Sequence, residues 1–595
     1  MSFRVLNTDG SNNTDVEAKT FSNLVPWVRN PSWPACEANT GDNRVRGLYA
    51  VWPGGGNFIA MTVSGAYTVE YGDGTTTNYA AGVTAYYEYD YNDADLANTN
   101  APVTFTDSGD TVNRTSHGYQ NGMTVQFYNI VSTTGITAGQ TYYVINATTN
   151  SFQISSTYGG SAVALTTNGS GTLLPYKIAT VTITPQVANN LTSVNLFVKH
   201  NQAGLVNGYS TGWLDLAFAA STITSLTISG VTSVIHRYLE QVKLNQLGAI
   251  TSFSSLFSVL VALKNVVISD SITSVTATDS MFSACRNLVN VSQFNTASVT
   301  NMSSMFATCT ELQTVPLLNT ESVTNMTSMF QNCYNLQTVP LFNTAAVLNM
   351  TTMFQNCYSL QTVPLFNTAA VTNMSSMFST CQKLKTVPLF NTASVTNMSS
   401  MFDSCYSLQT VPLFNTVSVT TMANMFANCS TLQTVPLFNT AAVTSMSGMF
   451  NSASVLTSVP LFNTAAVTTT SVMFLSCFNL QTVPLFNTAS VTTMSSMFSG
   501  CSGLTSVPAL VTTAVTSSGG FSGMFTSCSS NSRIEAKNFR FTFSVANNKL
   551  SATSLNEIYT NLPTVTAQTI TVTGNFGTAT DNPAIATAKG WTVTG

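Results

Sequence analysis

Ten Met-Phe pairs recur at a constant step of 24 residues from Met281 to Met497, and no other feature constrains the chain so tightly. One sentence repeats around them, clearest at 323–344: Val-Thr-Asn-Met-x-x-Met-Phe-x-x-Cys-x-x-Leu-Gln-Thr-Val-Pro-Leu-Phe-Asn-Thr. A period of roughly 20–50 residues specifies a stack of similar coils, in which each unit hides its apolar face only against its neighbours. An isolated coil of this size orders more chain than its buried side chains can offset, so the coils have to come in series.

Within a coil, Val323, Met326, Met329, Phe330 and Cys333 fall on one face of a short helix. Leu336-Gln-Thr-Val339 then reads as a short strand stopped by Pro340, which has no N–H for a sheet ladder. Phe342 opens an aromatic column that continues through Phe366 to Phe486, and Asn343 belongs to a second column running from Asn295 to Asn487. An Asn repeated at a bend is expected to bond loop backbone groups that burial would otherwise leave unpaired.

Only 7% of the residues are charged, and the net charge is −4. Nucleic-acid partners require a clustered basic surface, so they are excluded as an expectation. A surface this neutral suits packing into an assembly or contact with an uncharged partner. The N-terminus lacks the apolar core of a signal peptide, and the most apolar stretch, 257–268, is interrupted by Lys264 and too short to span a bilayer. No membrane insertion is expected, and synthesis in the cytoplasm is.

Ten of the eleven cysteines occupy one column, from Cys285 to Cys528. One thiol per coil does not converge on a metal. Helical layers roughly 8–10 Å apart would also put neighbouring thiols beyond disulfide reach. The remaining reading is a small buried core residue. Ala453 standing in the same column supports it.

The repeat resembles the BspA-like leucine-rich repeats of bacterial surface proteins, whose core Val-Thr-Asn-Met-x-x-Met-Phe-x-x-Cys-x-x-Leu is matched throughout 323–336. The segment after Leu336 is shorter than the usual family repeat and carries proline. The resemblance covers roughly 250–530 and implies adhesion without catalytic residues. The fold class expected is therefore an α/β solenoid of 24-residue leucine-rich-repeat-like coils, preceded by all-β sandwich-like modules.

Toward the N-terminus, Ala66-Tyr-Thr-Val-Glu-Tyr71 leads into Gly72-Asp73-Gly74, a turn signal, and Tyr86-Tyr-Glu-Tyr-Asp-Tyr91 follows. These pieces resemble the polycystic-kidney-disease (PKD) domain, which implies a small sandwich acting as spacer or contact module. Between them, His117-Gly-Tyr, Thr141-Tyr-Tyr-Val-Ile-Asn146 and Phe152-Gln-Ile-Ser155 resemble a small β-module that recurs in phage tail and fibre proteins. The expected division is an N-terminal docking segment at 1–57, marked by Trp27, Trp33 and Trp52, then a PKD-like sandwich at 58–99 plus 175–200 around an insert at 100–174. A solenoid cap with degenerate coils follows at 201–280, the array at 281–530 and a C-terminal α/β cap at 531–595. In that cap 551–562 reads as a helix ended by Pro563, and Trp591–Thr594 as a last strand.

His117, His200 and His236 lie far apart, and no nucleophile or base motif accompanies them, so no enzyme activity and no cofactor are expected. Asp90 to Asp95 is no calcium loop, because Leu96 stands where the loop needs Gly. No metal is expected. The column after the cysteine carries Tyr334, Tyr358, Tyr406 and Phe478. Such aromatics beside Asn and Gln can stack on sugar rings, or they form an assembly contact, or they are scattered surface aromatics. These readings combine into an expected phage virion protein, a tail fibre or other appendage that contacts the host. Its N-terminal region would dock on other virion proteins, a host surface glycan or protein would be the target, and a homo-oligomer is possible. The alternative is a bacterial cell-surface adhesin.

Overall fold

The computed structural model describes Cys36 and residues 43–595, leaving out 52–56, 91–92, 94–100, 118, 120, 122–123, 141, 158–159, 175–176, 188–190, 202–208, 211, 230–235, 237, 249, 270–271 and 536. Trp27, Trp33 and Trp52 of the expected docking segment, and most of 90–95, therefore lie outside the described residues. The chain divides into two compact units, Met1–Thr251 with Leu256–Ser274 and Cys285–Leu288, and Ser252–Ser255 with Val275–Ala284 and Val289–Gly595.

In the first unit, β1 (Arg44–Val51), β2 (Phe58–Val63), β3 (Tyr67–Glu70), β4 (Thr76–Tyr79) and β5 (Thr84–Glu88) come first in the chain. After an intervening barrel follow β12 (Lys177–Pro185), β13 (Ser193–Asn195), β14 (Trp213–Ala220), β15 (Ser225–Thr227), β16 (Gln241–Leu247) and β17 (Asn265–Ile268). One sheet runs in the order β17-β16-β14-β1-β12-β3-β4, and a second in the order β15-β13-β2-β5. The expectation that 1–57 is a docking segment is corrected for Arg44–Val51. Leu48, Tyr49, Ala50 and Val51 are buried on both faces, and β1 pairs antiparallel with both β12 and β14. Leu216 pairs in parallel with Val242, and Val242 with Val266, so a coil-like step is already present there.

The Gly72-Asp73-Gly74 turn is held from both sides. Gly72 and Gly74 have φ of 80° and 82°, and a Cβ on Gly72 would lie 2.5 Å from the Thr180 backbone nitrogen. Buried Asp73 accepts from Thr75 N and from the Tyr87 hydroxyl, while Tyr87 stacks on Tyr71 at 3.7 Å.

Between β5 and β12, the strands β6 (Ala101–Thr106), β7 (Thr111–Asn113), β8 (Thr124–Val131), β9 (Tyr142–Ile145), β10 (Ser151–Ser155) and β11 (Gly169–Leu174) close into a barrel, order β10-β7-β6-β11-β8-β9. Closure leaves no open edge, and Phe105, Phe127, Val144 and Phe152 fill the interior.

The second unit holds the solenoid, and its coils are not built as the spacing suggests. The helix expected over Val323–Cys333 is absent, and a series of tight turns stands in its place. The N–H groups of Met326, Ser328, Phe330 and Asn332 leave the coil and donate to Asn349, Thr351, Met353 and Gln355 O of the next, at 2.8–3.1 Å. The N–H groups in between, on Met329, Gln331 and Cys333, fold back three residues to Met326, Ser328 and Phe330 O. Ser328 and Asn332 have φ of 55° and 62°, which no right-handed helix accommodates. They are the third residues of the first and last of these three linked turns, where type II turns need positive φ. The apolar spacing is thus met by linked turns rather than helical ones.

The strand expected at Leu336–Val339 is also missing; single parallel bridges join Asn301, Asn325, Asn349 and their equivalents. Among the described residues, α-helix occurs only at α1 (Ala552–Asn561) and α2 (Ala584–Thr587), both near the C-terminus. The α/β character expected of the repeats is corrected accordingly. Ser551 caps α1 by accepting from Ser554 N, and Pro563 follows its C-cap Leu562.

Identical side chains stack along the coils. Phe282 through Phe498 are stacked at 5.3–5.8 Å between ring centroids. The Phe342 column stacks at 6.4–6.5 Å and touches the first column within each coil. Asn343 Oδ1 accepts from Ala345 N, the loop role expected of that column. The next residue carries a feature the sequence reading did not find. Thr320, Thr344, Thr368 and their equivalents are buried, and each hydroxyl donates to the Asn carbonyl of the following coil at 2.7–2.8 Å.

The left-handed positions are mostly Ser, Thr and Asn, but Val472 sits there with φ of 53°. A β-branched residue is strained in that region, whereas Asn424 occupies the same position two coils earlier at φ 55°. Val472→Asn is expected to stabilise the protein by about 1–2 kcal/mol, read as a higher denaturation midpoint at unchanged slope.

Candidate functional site

Three sets of side chains carried candidate chemistry: the histidines, the thiols and the aromatic column. The histidines are separately buried. His236 bonds Ser210 O at 2.6 Å through Nδ1, and burial lowers its pKa to about 4. His117 Nδ1 accepts from Tyr119 N, and His200 packs on Phe58 and Tyr86. Burial lowers both pKa values, so all three imidazoles are held neutral. No group of three or more His, Cys, Asp or Glu suited to a metal occurs among the described residues.

Each column cysteine is in the thiol form and buried, and its Sγ donates to a Phe carbonyl one coil back at 3.0–3.1 Å, as from Cys333 to Phe306 and from Cys381 to Phe354. Helical layers do not hold the thiols roughly 8–10 Å apart, as the spacing suggests, because coils joined by ladder hydrogen bonds stack at about 4.8 Å. What occupies the thiols is direction: every Sγ aims at a carbonyl. Burial pushes the Cys477 and Cys528 thiols up to about 12, and those of Cys285, Cys333, Cys357, Cys381, Cys405, Cys429 and Cys501 in the same direction. Thiols held this far above neutrality are poor nucleophiles.

Tyr334, Tyr358, Tyr406 and Phe478 lie in one column, and the structure brings only part of it together. Tyr334 and Tyr358 stack at 4.7 Å with 4° between their planes. Tyr406 is two coils beyond Tyr358, with Gln382 in the coil between, and Phe478 is three coils further. Tyr334, Tyr406 and Phe478 are exposed at 37%, 45% and 50%, and Tyr358 is half-buried. Polar groups flank them: Asn335 Nδ2 donates to Glu311, and Thr431 Oγ1 to Tyr406 O. The result is a short aromatic ladder set among amides and hydroxyls.

Asn325 and Asn349, one coil apart, accept from Thr327 N and Thr351 N through Oδ1. A family model described as a Mycoplasma protein of unknown function, DUF285, matches residues 228–341, 251–365, 334–434, 358–461, 406–510 and 457–561. Together these overlapping matches span more than half of the chain. The chain belongs to this family. Among solved structures, it is similar to a leucine-rich repeat protein from Eubacterium ventriosum, with 17% identity over 50% of this chain and 87% of that one, TM-score 0.33. It is also similar to the pneumococcal vaccine antigen PcpA, with 11% identity over 75% of this chain and 99% of that one, TM-score 0.29. No curated protein matches.

The DUF285 repeats tie the thiols to alkaline stability. A thiol whose pKa is raised by folding contributes stability that is present below its unfolded pKa and lost as pH rises toward the folded value. Between pH about 9 and 12, stability should fall by up to roughly 1.4 kcal/mol per pH unit for each thiol so raised. Denaturant midpoints measured across that range should fall less steeply for Cys357→Ala/Cys381→Ala/Cys405→Ala than for the parent.

Proposed function

We propose that this chain is a non-catalytic contact protein of adhesin type, a BspA-like leucine-rich-repeat solenoid that presents columns of uncharged side chains to a surface. The observation carrying this reading is the stacked Tyr334–Tyr358 pair with Tyr406 in the same column. Aromatic faces bordered by Asn, Gln and Thr suit a glycan, because sugar rings offer apolar C–H faces and hydroxyl edges together. Between Asn295 and Thr516 the only charges are Glu311, Glu321, Lys383, Lys385 and Asp403, which favours a neutral target over an ionic one.

The setting proposed is a phage particle, as a tail fibre or other appendage with its N-terminal region on neighbouring virion proteins. Support for it comes from the likeness of 100–174 to phage fibre modules. A bacterial cell-surface adhesin is the second reading, favoured by a family description that names a Mycoplasma protein.

Binding of the purified chain to immobilised bacterial surface polysaccharides tests the contact role. Tyr334→Ser/Tyr358→Ser/Tyr406→Ser is expected to lower the affinity at least tenfold with an unchanged melting temperature. Equal binding by parent and variant would remove the ladder from the reading. Mass spectrometry of purified particles tests the setting, and absence of the chain from them would leave the cell-surface role.

A further inference from the structure

The residue after the coil proline is Leu in eight successive coils, from Leu317 to Leu485 at 24-residue steps. These leucines are 55–61% exposed, whereas the next column, Phe342 to Phe486, is buried. At the pitch of the adjacent Phe342 column, whose rings repeat every 6.4–6.5 Å, they form a continuous stripe roughly 45 Å long. Scattered exposed leucines need no explanation, but a contiguous apolar patch marks an interaction surface. At on the order of 100 Å² apiece the stripe offers roughly 800 Å², above the roughly 300–600 Å² of a typical monomer's largest patch. That is also about what one partner contributes to a standard interface.

We propose that the leucine stripe is a self-association surface, which pairs two copies of this chain antiparallel about a two-fold axis between Leu389 and Leu413. The stripe's pitch selects the occupant. A partner must carry apolar side chains at one per coil spacing, and a second copy does so by construction. Around that axis, Leu317 faces the second copy's Leu485 and Leu389 faces the second copy's Leu413, so all eight rungs are covered. The bordering Gln337 and Asn343 columns are exposed and uncharged apart from Lys385, and the antiparallel register sets Lys385 against the coil of the second copy's Gln409 rather than against its own equivalent.

Sedimentation of the full chain across micromolar concentrations tests this. The parent is expected to be a dimer, and Leu389→Glu and Leu413→Glu each to weaken it roughly 30-fold. The double variant is expected to be monomeric with an unchanged melting temperature, because the leucines contribute little to the fold. Should the double glutamate variant fail to fold, Leu365→Ser/Leu437→Ser is expected to weaken the dimer by the same means. A parent that stays monomeric, a dimer that survives folded stripe variants, or a trimer would overturn the proposal. Binding of monomeric parent to phosphatidylcholine vesicles would assign the stripe to lipid and overturn it equally.

Discussion

The solenoid depends on one division of labour among its backbone N–H groups. Along each turn series, alternate groups point out of the coil to the next one, and those between close turns within the coil. No main-chain donor in that series is left over, although the segment is buried and carries neither helix nor strand. The requirement that burial leave no orphan donor is what forces the stacking. A coil without a successor would expose Met326, Ser328, Phe330 and Asn332 N–H together, like the edge of a sheet.

Once the main chain fixes the pitch, side chains inherit it. The two Phe columns stack because their Cα atoms are held in register, and the thiols and threonine hydroxyls reach carbonyls that repeat at the same interval. These bonds are individually modest, at about 1 kcal/mol, but each coil repeats all of them. Ala453 shows the tolerance of the scheme. One coil forgoes its S–H bond, yet Ala453 N still closes its turn on Phe450 O.

The coil period, the buried Met, Phe and Cys columns and the loop role of Asn343 were legible in the sequence, because period and apolarity report burial directly. The C-terminal helix was legible from Ser551 and Pro563, which mark its ends. The secondary structure of the coil was not. Apolar residues at Met326, Met329, Phe330 and Cys333 fit a helix and a chain of turns equally, and only the left-handed Ser328 and Asn332 separate the two. Gly448 and Gly523 in the first of these columns and Gly500 in the second are the sequence's own signal for turns, and the apolar spacing masks it. Of the aromatic column, membership was legible, but only the adjacent Tyr334 and Tyr358 touch. The exposed leucines were hidden by their type, since an apolar residue beside Phe342 reads as core.

Left-handed backbone at polar Ser, Thr and Asn positions also bears on how such a chain changes over generations. Neighbouring coils are nearly interchangeable in wording and identical in main-chain pitch. Unequal recombination that adds or drops one whole unit therefore leaves every remaining rung with a neighbour of the same shape. Reach becomes a heritable dial, adjustable without redesign of the core.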